Sequence, residues 1–92
     1  SFALHQNYPN PFNPVTTIKF DISEITNVSF KIFDLLGNEV YREFFSNMEA
    51  GFHTIKWSAR NSNGEPVSAG IYFYSLDAGS KFSKTRKMIL LK

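Results

Sequence analysis

From Thr17 onward apolar and polar side chains alternate with a period of two, and no segment sustains the 3.6-residue period of a helix. Ile18, Phe20 and Ile22 alternate with Thr17, Lys19 and Asp21, and Val28, Phe30 and Ile32 alternate with Ser29 and Lys31. Each series predicts a strand with one buried face. His53, Ile55 and Trp57 repeat the pattern against Thr54, Lys56 and Ser58. Glu39 to Phe45 mixes Tyr41, Phe44 and Phe45 with charges, which suits an edge strand. The continuous apolar run from Ile71 to Leu76 predicts a strand covered on both sides, and a last strand is expected from about Phe82 to Leu91.

Turn chemistry falls between these runs. Asp34-Leu35-Leu36-Gly37 fits a type I turn, Ala50-Gly51 breaks the chain, and Asn61-Ser62-Asn63-Gly64 is a further turn. Asp77-Ala78-Gly79-Ser80 is expected to close a hairpin, with Gly79 free to take a positive φ. The expected fold is all-β: an immunoglobulin- or fibronectin-like β-sandwich of six to seven antiparallel strands. With no cysteine to bridge it, the core must come from packing, for which ten Phe, four Tyr and one Trp are available.

The opening residues are different. Asn7-Tyr8-Pro9-Asn10-Pro11-Phe12-Asn13-Pro14 places three prolines in six residues, each fixing its own φ and holding its predecessor out of the helical region. Residues 1–16 are therefore expected to form a stiff, proline-rich strap, and residues 17–92 the sandwich. A simple linker is the alternative, but linkers seldom carry two large rings, so Tyr8 and Phe12 are expected to pack the strap onto the sandwich. Ser1-Phe2-Ala3-Leu4 has neither an initiator Met nor a signal peptide, which leads us to expect a cut within a longer protein. Lys92 is expected to be a natural C-terminus.

Charge is divided unevenly. Residues 1–80 carry five Lys/Arg against eight Asp/Glu, a net of −3, whereas Lys81, Lys84, Arg86, Lys87 and Lys92 stud a tail without acids. The same tail contains Met88-Ile89-Leu90-Leu91, apolar enough to require burial. A segment built like a core strand and marked by one sign of charge is something a partner can read. The overall net charge of +2 is too small to argue for nucleic acid, and no apolar run approaches the length of a membrane span.

Catalytic constellations are missing from the sequence. There is no Gly-rich phosphate loop, Gly-x-Ser-x-Gly elbow or His-Glu-x-x-His pair, and the acids are scattered over turns and solvent-facing strand positions. His53 shares a face with Ile55 and Trp57 and reads as a half-buried, hydrogen-bonded ring. Asn61-Ser62-Asn63-Gly64-Glu65 alternates oxygen ligands, but turn chemistry already accounts for its Asn and Gly. Asn27-Val28-Ser29 matches a glycosylation acceptor only at the level of three residues. Tyr72, Phe73 and Tyr74 would make a sugar-stacking platform if exposed, but core rings are the better reading. No enzyme activity, cofactor or metal site is expected.

Several blocks in fixed order resemble a known family. They are Leu4-His5-Gln6-Asn7-Tyr8-Pro9-Asn10-Pro11-Phe12-Asn13-Pro14, Thr16-Thr17-Ile18, and Lys31-Ile32-Phe33-Asp34-Leu35-Leu36-Gly37-Asn38-Glu39-Val40. Ala50-Gly51-Phe52-His53 with Trp57, Gly64-Glu65-Pro66-Val67-Ser68-Ala69-Gly70-Ile71-Tyr72-Phe73-Tyr74, and Arg86-Lys87-Met88-Ile89-Leu90-Leu91-Lys92 follow. Together they resemble the type A C-terminal sorting domain of the type IX secretion system of Bacteroidota, and are similar to the immunoglobulin-like domain of flagellar hook-capping proteins.

The resemblance implies an address carried at the end of a cargo protein. The cargo would pass through the periplasm, its terminal sandwich would be recognised by outer-membrane translocon proteins, and it would reach the cell surface. The family's Pro-x-x-x-Gly-x-Tyr block maps onto Pro66, Gly70 and Tyr72, its glycine turn onto Gly79, and its closing basic-apolar-basic block onto Lys87 and Lys92. Lys81, Lys84 and Arg86 make this chain more basic than the pattern requires. Recognition is therefore expected to involve Pro66, Gly70, Tyr72, Gly79, Lys84, Arg86, Lys87 and Lys92, with Tyr72 and Leu90 anchoring the hairpin. A structural immunoglobulin-like spacer, or the carbohydrate-binding module of a secreted multidomain enzyme, is the alternative.

Overall fold

A computed structural model of the chain describes residues 1–91. Seven strands run in the order Ala3–Leu4 (β1), Thr16–Ile22 (β2), Thr26–Asp34 (β3), Glu39–Met48 (β4), Gly51–Trp57 (β5), Gly70–Ala78 (β6) and Phe82–Leu90 (β7). They form two antiparallel sheets, one of three strands ordered β1-β2-β5 and one of four ordered β4-β3-β6-β7. The all-β sandwich expected from the alternation is the observed fold. Its seventh strand is the two-residue β1, too short to leave a periodic signal and lying within the segment expected to be strap.

The alternating residues meet between the sheets as expected. Ile18, Phe20 and Ile22 of β2 face Val28, Phe30 and Ile32 of β3, Tyr72, Tyr74 and Leu76 of β6, and Met88 and Leu90 of β7, all buried. The outward residues of β6 and β7 have no second layer over them. Ile71, Phe73 and Ile89 remain half-buried, so the β6 run is covered on one side and not on both. A continuous apolar run does not by itself distinguish a two-sided strand from one whose outer face is left for a partner.

Residues 5–15 cross from the small sheet to the free edge of β7. Phe12 lies in the core with 1% of its surface exposed, its ring 6.0 Å from that of Trp57. The Tyr8 ring, by contrast, is 80% exposed and anchors nothing, although its backbone pairs with that of Thr17. The second anchor is polar. The Tyr74 hydroxyl, buried in the core, accepts from the Asn7 amide at 2.8 Å and donates to the His5 carbonyl at 2.8 Å. Asn7 in turn donates to Thr16 Oγ1 at 2.9 Å and to the Pro9 carbonyl at 3.1 Å, so no polar atom of this buried cluster is left bare.

The turns follow their composition closely. The Asp34 carboxylate accepts from the Leu36 amide at 3.0 Å and the Asn38 amide at 2.9 Å, and the bond from Asn38 leads in holding its pKa below the usual value. Asn61 Oδ1 accepts from the amides of Asn63 and Glu65, at 3.0 and 2.9 Å, which spends on the turn itself the oxygen a cation would need. Gly79 closes the β6–β7 hairpin at φ +54°, and a Cβ built on it would stand 2.7 Å from Thr26 Oγ1. Gly79→Ala is expected to destabilise the domain by about 1–2 kcal/mol through the left-handed backbone alone, with the contact adding to it. In a denaturant titration, pairing it with Thr26→Ala should recover only the contact part; full recovery would show that the backbone carries no strain.

Candidate functional site

The expected recognition residues divide sharply by the strand face they occupy. In β7 the inward phase runs through Lys84, Arg86, Met88 and Leu90, and the outward phase through Ser83, Thr85, Lys87 and Ile89. Met88 and Leu90 are consumed by the core. The side chains a partner can touch in the closing block are thus Lys87 and Ile89, followed by the exposed Leu91. Lys92 lies outside the described residues.

Arg86 and Tyr72 serve the fold. Arg86 is half-buried, and its Nε donates to the Leu4 carbonyl at 2.6 Å, tying β7 to β1 in the opposite sheet. Tyr72 packs edge-on against Trp57 with ring centroids 5.7 Å apart, and its hydroxyl donates to the Ser68 carbonyl at 2.5 Å. Burial first, then the Asp34 carboxylate, pushes its pKa up. Gly70 opens β6 at φ +150°, a conformation other residues rarely adopt, opposite Leu90. Pro66 is exposed in the β5–β6 connection, bridged to Arg60 and away from the hairpin face. Lys84 is exposed at the open end of the sandwich, whereas Lys81 is paired with Glu24. Two of the four described tail cations are therefore engaged within the domain, and the tail is a weaker beacon than its composition suggests.

Register reveals a feature the sequence reading missed. Phe33 of β3 lies opposite Phe73 of β6, which lies opposite Lys87 of β7, and Ile71 lies opposite Ile89 in the adjoining row. Four half-buried apolar side chains thus form one outward patch on the larger sheet, with Lys31 one row away. Leu35 and Leu36 at the β3–β4 turn, the latter 87% exposed, and Leu91 after β7 extend the patch at the same end of the sheet. The signal available in the sequence was an apolar residue on both phases of β6.

The strap seals the backbone beside this patch. Gln6 Nε2 donates to the Lys87 carbonyl at 2.8 Å, and the Ile89 amide donates to Asn10 Oδ1 at 2.9 Å. The Phe12 amide donates to the Ile89 carbonyl at 3.0 Å, and the Leu91 amide to the Phe12 carbonyl at 2.8 Å. The outward edge of β7 over 87–91 is therefore already paired, and a partner must read side chains there instead of adding a strand.

This sandwich, sealed by an N-terminal strap along its last strand, has known counterparts. Residues 6–91 match the family model described as the secretion system C-terminal sorting domain. The chain belongs to this family. As a sorting domain of type IX secretion it directs a cargo through the periplasm to the cell surface.

Among solved structures, the sorting domain resembles part of latent dimeric PorU from Porphyromonas gingivalis, with a TM-score of 0.76 and 20% identity over 98% of this chain and 9% of that one. It also resembles part of PorZ from the same organism, an essential surface component of the type IX secretion system, with a TM-score of 0.64 and 26% identity over 100% of this chain and 12% of that one. FlgD from P. aeruginosa shares the fold, with a TM-score of 0.63 and 20% identity over 82% of this chain and 57% of that one. The sorting domain thus spans about a tenth of the length of PorU and PorZ. No curated protein matches it. Among the described residues, no helix is long and apolar enough to cross a membrane, and no group of three His, Cys, Asp or Glu is placed to hold a metal ion.

Proposed function

We propose that an outer-membrane translocon protein recognises the outward face of the closing hairpin, reading Phe73, Ile71, Ile89 and Leu91 with Lys87 beside them. The observation that carries this reading is the unlayered apolar patch on the very strands that end the family's pattern. An apolar centre edged by cations is the composition of a protein-docking surface. The domain itself is non-catalytic. Any activity belongs to a cargo preceding it in the same precursor, and residues 1–16 act as the strap that completes the sandwich of residues 17–92. Gly70, Gly79, Tyr72 and Arg86 shape the hairpin, Pro66 fixes the connection into it, and Lys84, Lys87 and Lys92 steer the encounter over roughly 8 Å, the screening length at physiological salt.

Deleting residues 87–92 is an ambiguous test, because it also removes Met88 and Leu90 from the core. The informative variant is Phe73→Glu with Ile89→Glu in a reporter fused to the domain. Both side chains face outward, so the fold should survive, as melting of the purified variant will show. We expect the reporter to accumulate in the periplasm while the parent fusion reaches the surface. Undiminished surface delivery by a folded double variant would overturn the assignment.

A further inference from the structure

The outer face of the smaller sheet, remote from the hairpin patch, carries two large rings with nothing packed on them. Phe52 of β5 is 89% exposed and Tyr8 of the strap 80%. Phe52 lies opposite Asp21 and Tyr8 opposite Thr17, so the rings flank β2 from either side at its two ends. Along β2 that separation is about 13 Å, from four residues of strand rise. Between them lie two hollows. One of about 500 Å³ is lined by His5, Lys19, Asp21, Phe52, His53 and Thr54, and one of about 330 Å³ by Gln6, Tyr8, Thr17 and Lys19. Lys19 lines both, so the two hollows adjoin, and together they form a trough between the rings with Lys19 at its middle.

The chemistry of the trough favours a hydroxylated ligand. Its polar groups are side chains: Gln6 Oε1, whose amide nitrogen is spent on Asn7 and the Lys87 carbonyl, the Thr17 and Thr54 hydroxyls, the Lys19 ammonium, and His5, whose Nε2 is 3.1 Å from Asp21 Oδ1. Over the face between the rings a peptide finds no backbone partners, because those of β2 are spent on its neighbours and those of β5 not bonded to β2 point in the sheet plane toward its free edge. Exposed rings that bound a row of hydroxyl, amide and carboxylate groups instead suit sugar rings, whose apolar faces stack and whose edges hydrogen-bond. The balance of charge narrows the class. Lys19 and Lys56 both lie on this face against one acid, Asp21, which is hydrogen-bonded to His5, so the positive groups are in excess.

We propose that this trough binds an acidic oligosaccharide, with Tyr8 and Phe52 stacking on its sugar rings and Lys19 meeting a carboxylate between them. This binding is separate from the sorting contact and does not rest on it.

The test is an NMR titration of the 92-residue chain with tetragalacturonate, with cellotetraose as the neutral counterpart. Shifts should be confined to β1, β2, β5 and the strap, and tetragalacturonate should bind more tightly than cellotetraose. Phe52→Ala and Tyr8→Ala should each weaken binding roughly tenfold, and Lys19→Gln should erase the preference for the acidic ligand. All three side chains are exposed, and unchanged melting will confirm that the variants fold. Absence of any shift at millimolar tetragalacturonate, or unchanged affinity in the Tyr8→Ala/Phe52→Ala double variant, would overturn the proposal. Equal binding of tetraglutamate on the same face would also overturn it, in favour of a protein partner.

Discussion

Phe12→Ala should remove about 3–5 kcal/mol of stability, the cost of emptying a buried aromatic site. Folded domains of this size are stable by only about 5–15 kcal/mol, so much of the total is at stake. Phe12 is almost wholly buried against Trp57, and its own amide and carbonyl pair with Ile89 and Leu91. The lost ring therefore loosens the backbone bonds that seal β7 as well. Thermal unfolding should fall by roughly 12–40 °C, given about 4–8 °C per kcal/mol for a domain of this length. Tyr8→Ala is the matched control, since its ring is in solvent and its removal should change stability by no more than about 0.5 kcal/mol. Equal effects of the two substitutions would mean that the strap is an appendage and not part of the core.

Tyr74→Phe should cost about 2–4 kcal/mol despite removing a single atom. The Tyr74 hydroxyl is buried, and its loss strands both the Asn7 amide that it accepts from and the His5 carbonyl that it donates to. Each buried polar group left unpaired costs about 1–3 kcal/mol. Burial pushes the pKa of this hydroxyl up, against the pull of the Asn7 amide and Arg86, so it stays protonated and able to donate. Hydrogen exchange should locate the damage, with the Asn7, Phe12 and Leu91 amides losing protection before those of β3. Tyr72→Phe provides the contrast. Its hydroxyl makes one bond, to the Ser68 carbonyl, and should cost nearer 1 kcal/mol. If Tyr74→Phe proves as mild as Tyr72→Phe, the Asn7 cluster does not hold the strap.

Most of the sandwich was legible because burial on one face imposes a period of two, which β2, β3 and β5 obey, while β7 was legible from its closing apolar block. Glu39 to Phe45 was recognisable as an edge strand from its mixed charges, although the strand continues to Met48. What local pattern could not express was pairing between distant segments. Asn7 looks like one more polar residue of a proline-rich stretch, and only the placement of Tyr74 makes it a buried keystone. Tyr8 and Phe12 look equivalent as rings, yet one faces solvent and the other the core, because direction in an irregular segment has no period to follow. Arg86 shows the same limit. As a charge in a basic tail it reads as part of a signal, whereas its guanidinium is held by the Leu4 carbonyl. The outward patch was hidden differently, since apolar residues on both phases of β6 say that a second face is greasy without saying what covers it.

The pairing of residues 6–12 with residues 87–91 sets an order for assembly. A polypeptide is made with its earliest residues leading, so the strap waits for its partner until nearly the whole domain has been synthesised. Until then Phe12 has no finished cavity and the four-stranded sheet lacks its border. Closure thus waits on the last strand: a chain that stops before residue 87 lacks the seam, and the larger sheet gains its border only when residues 87–91 are in place.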